Sequence, residues 1–189
     1  MTSPRERMVA SAALLIRERG AHPTAIADVL AHSGAPRGSA YHYFPGGRTQ
    51  LLCEAIDYAG DQVAGRIEKA DSTVALLDAM IAGFRKRLSA TDFRAGCPIV
   101  AVAVEAGEPG ATESAVLDRA GVAFTRWTGQ ITRRLQDDGV SAERAEELAM
   151  LILTAIEGAV VVARATRDVT PLDLIHRRLR ALLPEGTSS

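Results

Sequence analysis

Residues 24–52 read TAIADVLAHSGAPRGSAYHYFPGGRTQLL, and this stretch decides the fold. Thr24 follows Pro23 and stands where an N-cap would open a helix over about 25–31. Ile26, Val29 and Leu30 form its apolar face. Ser33-Gly34-Ala35 reads as a tight turn. Pro36 opens a second short helix that ends near Phe44, where Pro45-Gly46-Gly47 breaks it. Two short helices joined by a glycine-containing turn make a helix-turn-helix, here at about residues 25–44. In that motif the second helix enters the DNA major groove and the first crosses the backbone.

The second helix is composed unlike a core helix. Arg37, Ser39, Tyr41 and His42 are all hydrogen-bond formers. Gly38 would cost roughly 1 kcal/mol against alanine in a helix interior. Its presence makes sense if a phosphate or a base edge must come close to the backbone. Against this stand plainer readings: Tyr41 and Tyr43 as core aromatics, His42 as a solvated histidine. Phe44 reads as core. His22, His32 and His42 fall on separate elements at ten-residue gaps, which argues against a metal site.

Outward from this stretch the chain reads as helix throughout. A first helix over 4–19 has Ser3 as N-cap, Pro4 at its first position and Glu6 at its third. Met8, Ala12, Leu15 and Ile16 make its apolar stripe, and Gly20 ends it. A fourth helix begins near residue 48 and reaches the region of residue 68. Further helices are expected over 74–89, 98–106, 112–137, 142–167 and 171–183, with stops at 107–110, at Asp137-Asp138-Gly139 and between Asp168 and Pro171. Residues 187–189 read as a frayed tail. The fold class is all-α: a helix-turn-helix DNA-binding domain over 1–52 and a larger helical ligand-binding and dimerisation domain over 53–189.

Composition sets the bounds. The chain has 189 residues, 47% hydrophobic and 24% charged, which excludes wholesale disorder. Aromatics are only 4%, while alanine is abundant, which favours helix over strand. The two cysteines, Cys53 and Cys97, form no C-x-x-C pair, so neither a disulfide framework nor a cysteine zinc site is expected. Residues 1–52 carry a net +3 and the remainder −4, a basic head on an acidic body. The apolar run at 8–16 could imitate a signal peptide, but Arg17, Glu18 and Arg19 follow at once. The most apolar run, 148–163, is interrupted by Glu157 and falls short of the ~20 residues of a membrane span. A cytoplasmic protein with no membrane segment is expected.

The segment 24–52 resembles the DNA-binding segment of the tetracycline-repressor (TetR) family of transcriptional regulators. Gly38, Tyr41 and Phe44 supply a Gly-x-x-Tyr-x-x-Phe signature in the right setting. Residues 93–105, FRAGCPIVAVAVE, resemble one subgroup, the LmrA/YxaF-like repressors. The resemblance implies that Thr24 caps the second helix and touches a phosphate. It also implies that Arg37, Ser39, Tyr41 and His42 meet bases or phosphates, that Gly38 is the family glycine, and that Arg48 holds a phosphate. Three positions depart from the pattern: Ala40 replaces a larger aliphatic, Leu30-Ala31 replaces the usual alanine placement, and Gly46-Gly47 lengthens a turn by one residue.

No catalytic constellation, phosphate loop or H-E-x-x-H motif occurs, and no cofactor is called for. Phe84, Phe124, Trp127 and Met150 are candidates to line an apolar ligand site between helices, with Cys97 beside it and Glu157 and Arg126 as polar anchors. The apolar ones could equally be ordinary core, and Glu157 and Arg126 could simply face solvent or pair across an interface. Cys97 before Pro98 at a helix start is also a candidate for redox chemistry. Ala155, Gly158, Ala159 and Ala163 give the eighth helix a small-residue face that lets another helix approach. The family pairs its last two long helices with their twins, here near 142–167 and 171–183. The expectation is a homodimeric repressor on a palindromic double-stranded operator, released by a small apolar or amphipathic ligand that shifts the population away from the DNA-competent dimer. The competing reading is an all-helical small-molecule carrier or enzyme without DNA binding.

Overall fold

The computed structural model describes residues 3–105 and 110–184. Among these residues it contains nine helices and no strand: α1 (Pro4–Arg19), α2 (Ile26–Ser33), α3 (Ser39–Tyr43), α4 (Gly47–Glu68), α5 (Thr73–Ala90), α6 (Pro98–Ala103), α7 (Ala111–Asp137), α8 (Ala142–Thr166) and α9 (Thr170–Arg180). The all-α expectation holds. Position 106 of the expected sixth helix, positions 107–109 of the expected stop and the 187–189 tail lie outside the described residues.

The chain forms two compact units. The first comprises Met1–Gln62 and Cys97–Phe124; the second comprises Val63–Gly96 and Thr125–Ser189. In the first unit, α1 starts at a complete capping box. The Glu6 N–H donates to Ser3 Oγ (3.2 Å), and the Ser3 N–H donates to Glu6 Oε2 (2.7 Å). Met8, Ala12 and Ile16 are fully buried, and α1 packs against α2 and α6. Val29, Ala40, Phe44, Leu51, Leu52 and Ile56 complete the core beneath the helix-turn-helix. Gly60 of α4 lies so near α7 that an added Cβ would sit 3.3 Å from the Ala123 Cβ.

In the second unit α8 packs against α9 and α5, and α9 packs against α5. By length and composition alone α8 could cross a membrane. Its Ile152, Leu153, Ile156, Val160 and Ala163 are buried inside the unit. Trp127 and Ile131 of α7 are also in the core. Polar pairs fasten α9 to α5: Asp78 meets His176 (2.6 Å) and Arg180 (2.7 Å), and Arg85 meets Asp173 (3.2 Å).

Two local expectations need correction. Thr24 does not cap α2; Ala25 occupies the N-cap, and Asp28 takes the Ala25 N–H (3.2 Å). The Thr24 hydroxyl is buried and donates backwards to Gly20 O (2.7 Å). The helix expected from Pro36 starts only at Ser39, so Gly38 is its N-cap and not an interior residue. The interior penalty expected for Gly38 therefore does not arise.

Candidate nucleic-acid interface

α2 ends on Gly34, which adopts the left-handed conformation (φ 65°, ψ 21°). A Cβ there would meet nothing within 4 Å, so glycine is used for its backbone freedom and not for space. The Ala35 N–H donates to Ser33 Oγ (3.3 Å), and the Ser39 N–H and hydroxyl both donate to Pro36 O (2.9 and 2.7 Å). These bonds fix the approach to α3. The Phe44 N–H donates to Ala40 O (2.8 Å) and closes the helix.

Residues 40 and 44 lie four apart on one face and point inward; Ala40 and Phe44 are both buried. Arg5 of α1 lies over the Phe44 ring at 5.4 Å and pairs with Glu54 of α4 (2.6 Å). On the outward side stand Arg37, Tyr41 and His42, all exposed, with Ser39 half-buried. Tyr41 is 73% exposed, far above what a core aromatic shows. The His42 and Tyr43 rings meet edge-on with centroids 5.0 Å apart. A Cβ at Gly38 would meet nothing within 4 Å, and the glycine is itself exposed. The backbone at the start of α3 is therefore open to another molecule.

Arg48 takes a place that sequence reasoning did not foresee. Its Nη2 donates to Ala21 O (2.7 Å) and His22 O (2.9 Å), and its Nε donates to Thr24 O (3.0 Å). The guanidinium thus binds the carbonyls of the turn between α1 and α2. The signal was present only as Arg48 at the start of a helix; the turn it serves lies more than 20 residues away in sequence.

The remaining candidates are distributed as follows. Phe84, Trp127 and Glu157 are buried in the second unit. The Arg87 guanidinium lies over the Phe84 ring at 4.9 Å. Among the described residues Glu157 is the one buried charged side chain. Cys97, buried at the N-cap of α6, and half-buried Phe124 belong to the first unit. Met150 is half exposed on the outward side of α8 and lies outside the core. Arg126 is exposed. Of the small residues on α8, Ala159 and Ala163 are buried inside the unit, Ala155 is half-buried and Gly158 is exposed. What α8 turns outward is an apolar stripe of Met150, Leu151, Gly158, Val161 and Val162. Cys53, half-buried on α4, is a free thiol whose pKa burial pushes up.

An all-helical chain led by a helix-turn-helix whose second helix turns Arg37, Tyr41 and His42 outward is built to meet DNA. Residues 9–55 match the model of bacterial regulatory proteins of the tetR family. Residues 73–178 match the C-terminal domain of LmrA/YxaF-like transcriptional regulators. The HTH-type transcriptional regulator Rv0196 of Mycobacterium tuberculosis is 61% identical over 97% of this chain and 95% of its own length. A TetR transcriptional regulator from Chloroflexus aurantiacus superposes with a TM-score of 0.72 at 30% identity, over 94% of this chain and 92% of that one. The TetR-family regulator CifR, solved with 26 bp double-strand operator DNA, shares the fold at a TM-score of 0.69 and 20% identity, over 94% of this chain and 95% of its own. The chain belongs to the TetR family of DNA-binding transcriptional regulators. Its C-terminal part places it in the LmrA/YxaF-like subgroup.

Proposed function

We propose that the protein is a homodimeric repressor, active in the cytoplasm, that two α3 helices seat on a palindromic operator and that a small apolar or amphipathic ligand releases. The observation that carries the DNA part is the joint exposure of Arg37, Tyr41 and His42 beside the open backbone at Gly38. Arg37 can bind a guanine edge in bidentate fashion, and Tyr41 and His42 can reach bases or phosphates. Ser39 has already given its hydroxyl proton to Pro36 O, so it presents an acceptor only. Thr24 and Arg48 act from behind: they hold the turn that sets the angle of the motif. CifR's complex with operator DNA supports the same use of this fold.

The dimer surface is assigned to the outward stripe of α8, Leu151, Gly158, Val161 and Val162, continued by Leu174 of α9, which is 51% exposed. An exposed apolar stripe of this kind on a two-helix face is more readily explained by a second copy than by water. Ligand recognition is assigned to Phe84, Trp127 and Glu157 in the second unit, with Glu157 as the polar anchor. Cys97 and Phe124 fall in the first unit and are not part of that assignment. Met150 belongs with the dimer stripe. Binding to the DNA upstream of the protein's own gene, followed by polarisation, tests this reading. Operator-sized duplexes should bind with two-fold stoichiometry, and a ligand that quenches Trp127 should weaken that binding. Reciprocity requires DNA to weaken the ligand by the same factor. A quenching ligand with no effect on DNA affinity would remove the sensor assignment.

A further inference from the structure

Residues 93–105 end at Glu105, whose carboxylate has no part in the DNA contacts or the dimer surface proposed above. It lies at the foot of α6, two residues past its last turn, on the turn that joins α1 to α2. The His22 N–H donates to Glu105 Oε1 at 2.9 Å. Gly20 is shaped to admit the same side chain. Its backbone (φ 91°, ψ 172°) lies in a region that only glycine enters freely. A Cβ at Gly20 would also overlap Glu105 Oε1 and come within 3.1 Å of its Cδ. The backbone conformation demands glycine here, and the missing Cβ leaves room for the carboxylate in the place it takes.

The rest of the turn is held from other directions. Gly20 O accepts from the Thr24 hydroxyl, Ala21 O and His22 O accept from Arg48 Nη2, and Thr24 O accepts from Arg48 Nε. Arg48 thus grips the carbonyls from α4, while Glu105 takes an amide of the same turn from α6. The two bonds on His22 fall on either end of one residue: the N–H goes to Glu105 and the C=O to Arg48. A turn gripped by a cation and an anion through complementary backbone groups has its peptide planes fixed, and α2 leaves it with a set direction. Since α2 carries α3 across only a short turn, that direction sets the aim of the recognition helix.

We infer that Glu105 is a positioning residue for operator binding: its carboxylate, on the His22 amide and against Gly20, holds the α1–α2 turn in the form that presents α3 to DNA. This rests on the reading of α3 as the recognition helix. The contribution comes from acceptor geometry and not from contact with nucleic acid, since an anion gains nothing from a phosphate.

Glu105→Ala and Glu105→Gln, measured for operator affinity across a salt series, test this. The amide exchange of His22 is read by NMR in the absence of DNA. Loss of a hydrogen bond to a charged acceptor should weaken operator binding by roughly tenfold in Glu105→Ala and speed exchange at His22. Glu105→Gln keeps an acceptor oxygen and should recover most of both. The salt slope should match that of the wild type, because no phosphate contact is lost. Affinity that is unchanged or tighter in Glu105→Ala would overturn the assignment, as would a glutamine variant no better than alanine. If His22 exchange responds as expected while the wild type itself fails to bind any upstream DNA, the reading of α3 falls and the role of Glu105 in operator binding falls with it. If the wild type binds and Glu105→Ala binds equally well, only the role of Glu105 falls.

Discussion

Replacing Arg48 separates two roles that the same residue could have. If its guanidinium held a phosphate, Arg48→Ala would leave the fold intact, weaken all DNA sequences alike and lower the salt slope by about one. The structure gives the guanidinium three carbonyl bonds, at 2.7, 2.9 and 3.0 Å. A hydrogen bond to a charged group contributes roughly 1.5–3 kcal/mol. The site is half-buried, and water can re-solvate part of what is lost, so about 2–4 kcal/mol is a fair expectation for the three together. At ~2–4 °C per kcal/mol for a chain of this size, Arg48→Ala should lower Tm by about 4–16 °C. Arg48→Lys is the sharper variant. It keeps the charge that a phosphate needs, but an ammonium lacks the planar fork that spans three carbonyls. It should therefore lose most of the stability as well. Thermal unfolding followed by far-ultraviolet circular dichroism reads the outcome. An alanine variant that melts within a degree of wild type, or a lysine variant that restores full stability and affinity, would refute the clamp.

Two further outcomes follow. Gly158 is exposed, and a Cβ there meets nothing within 4 Å, so Gly158→Arg fits its own protomer. The variant should remain helical yet scatter light as a 20.0 kDa monomer where the wild type scatters as twice that mass; a variant that stays dimeric would move the interface elsewhere. The Arg167 hydrogen bond and charge hold the Asp92 carboxyl below its ordinary pKa. A lowered folded-state pKa means that the pair's small contribution is complete above the usual ~3.9 and is lost as pH falls through the lowered value. In Arg167→Ala the Asp92 titration should return to the ordinary carboxylate range by NMR, and an unmoved titration would deny the pairing.

What the sequence made legible was local. Ser3, Pro4 and Glu6 specify the start of α1 through a capping box that needs no distant partner, and the helix begins there. Helix type and order follow from apolar periodicity and from Gly and Pro punctuation, and they hold along the chain. Tyr41 outward and Phe44 inward were readable from the pattern around α3. What escaped was tertiary. Thr24 looks like an N-cap because Thr after Pro does so locally, but its hydroxyl finds Gly20 O one turn back. Arg48 and Glu105 reach the same six-residue turn from 26 and 83 positions away from His22, and nothing in residue spacing announces that meeting. The small residues of α8 were read as one face. Packing divides them, burying Ala159 and Ala163 in the unit and leaving Gly158 among the exposed valines.

The central claim is that α3 reads DNA, and the direct measurement is operator affinity of Arg37→Ala and Tyr41→Ala on matched and single-base-substituted duplexes. Both side chains are exposed, so neither replacement should disturb the fold. A lost base contact should cost about 1–3 kcal/mol and relax preference at one position in each half-site. A lost phosphate contact should weaken every duplex alike and reduce the salt slope by about one. Either pattern, with helicity unchanged, is the result expected. Wild-type affinity in both variants on every duplex would contradict the account.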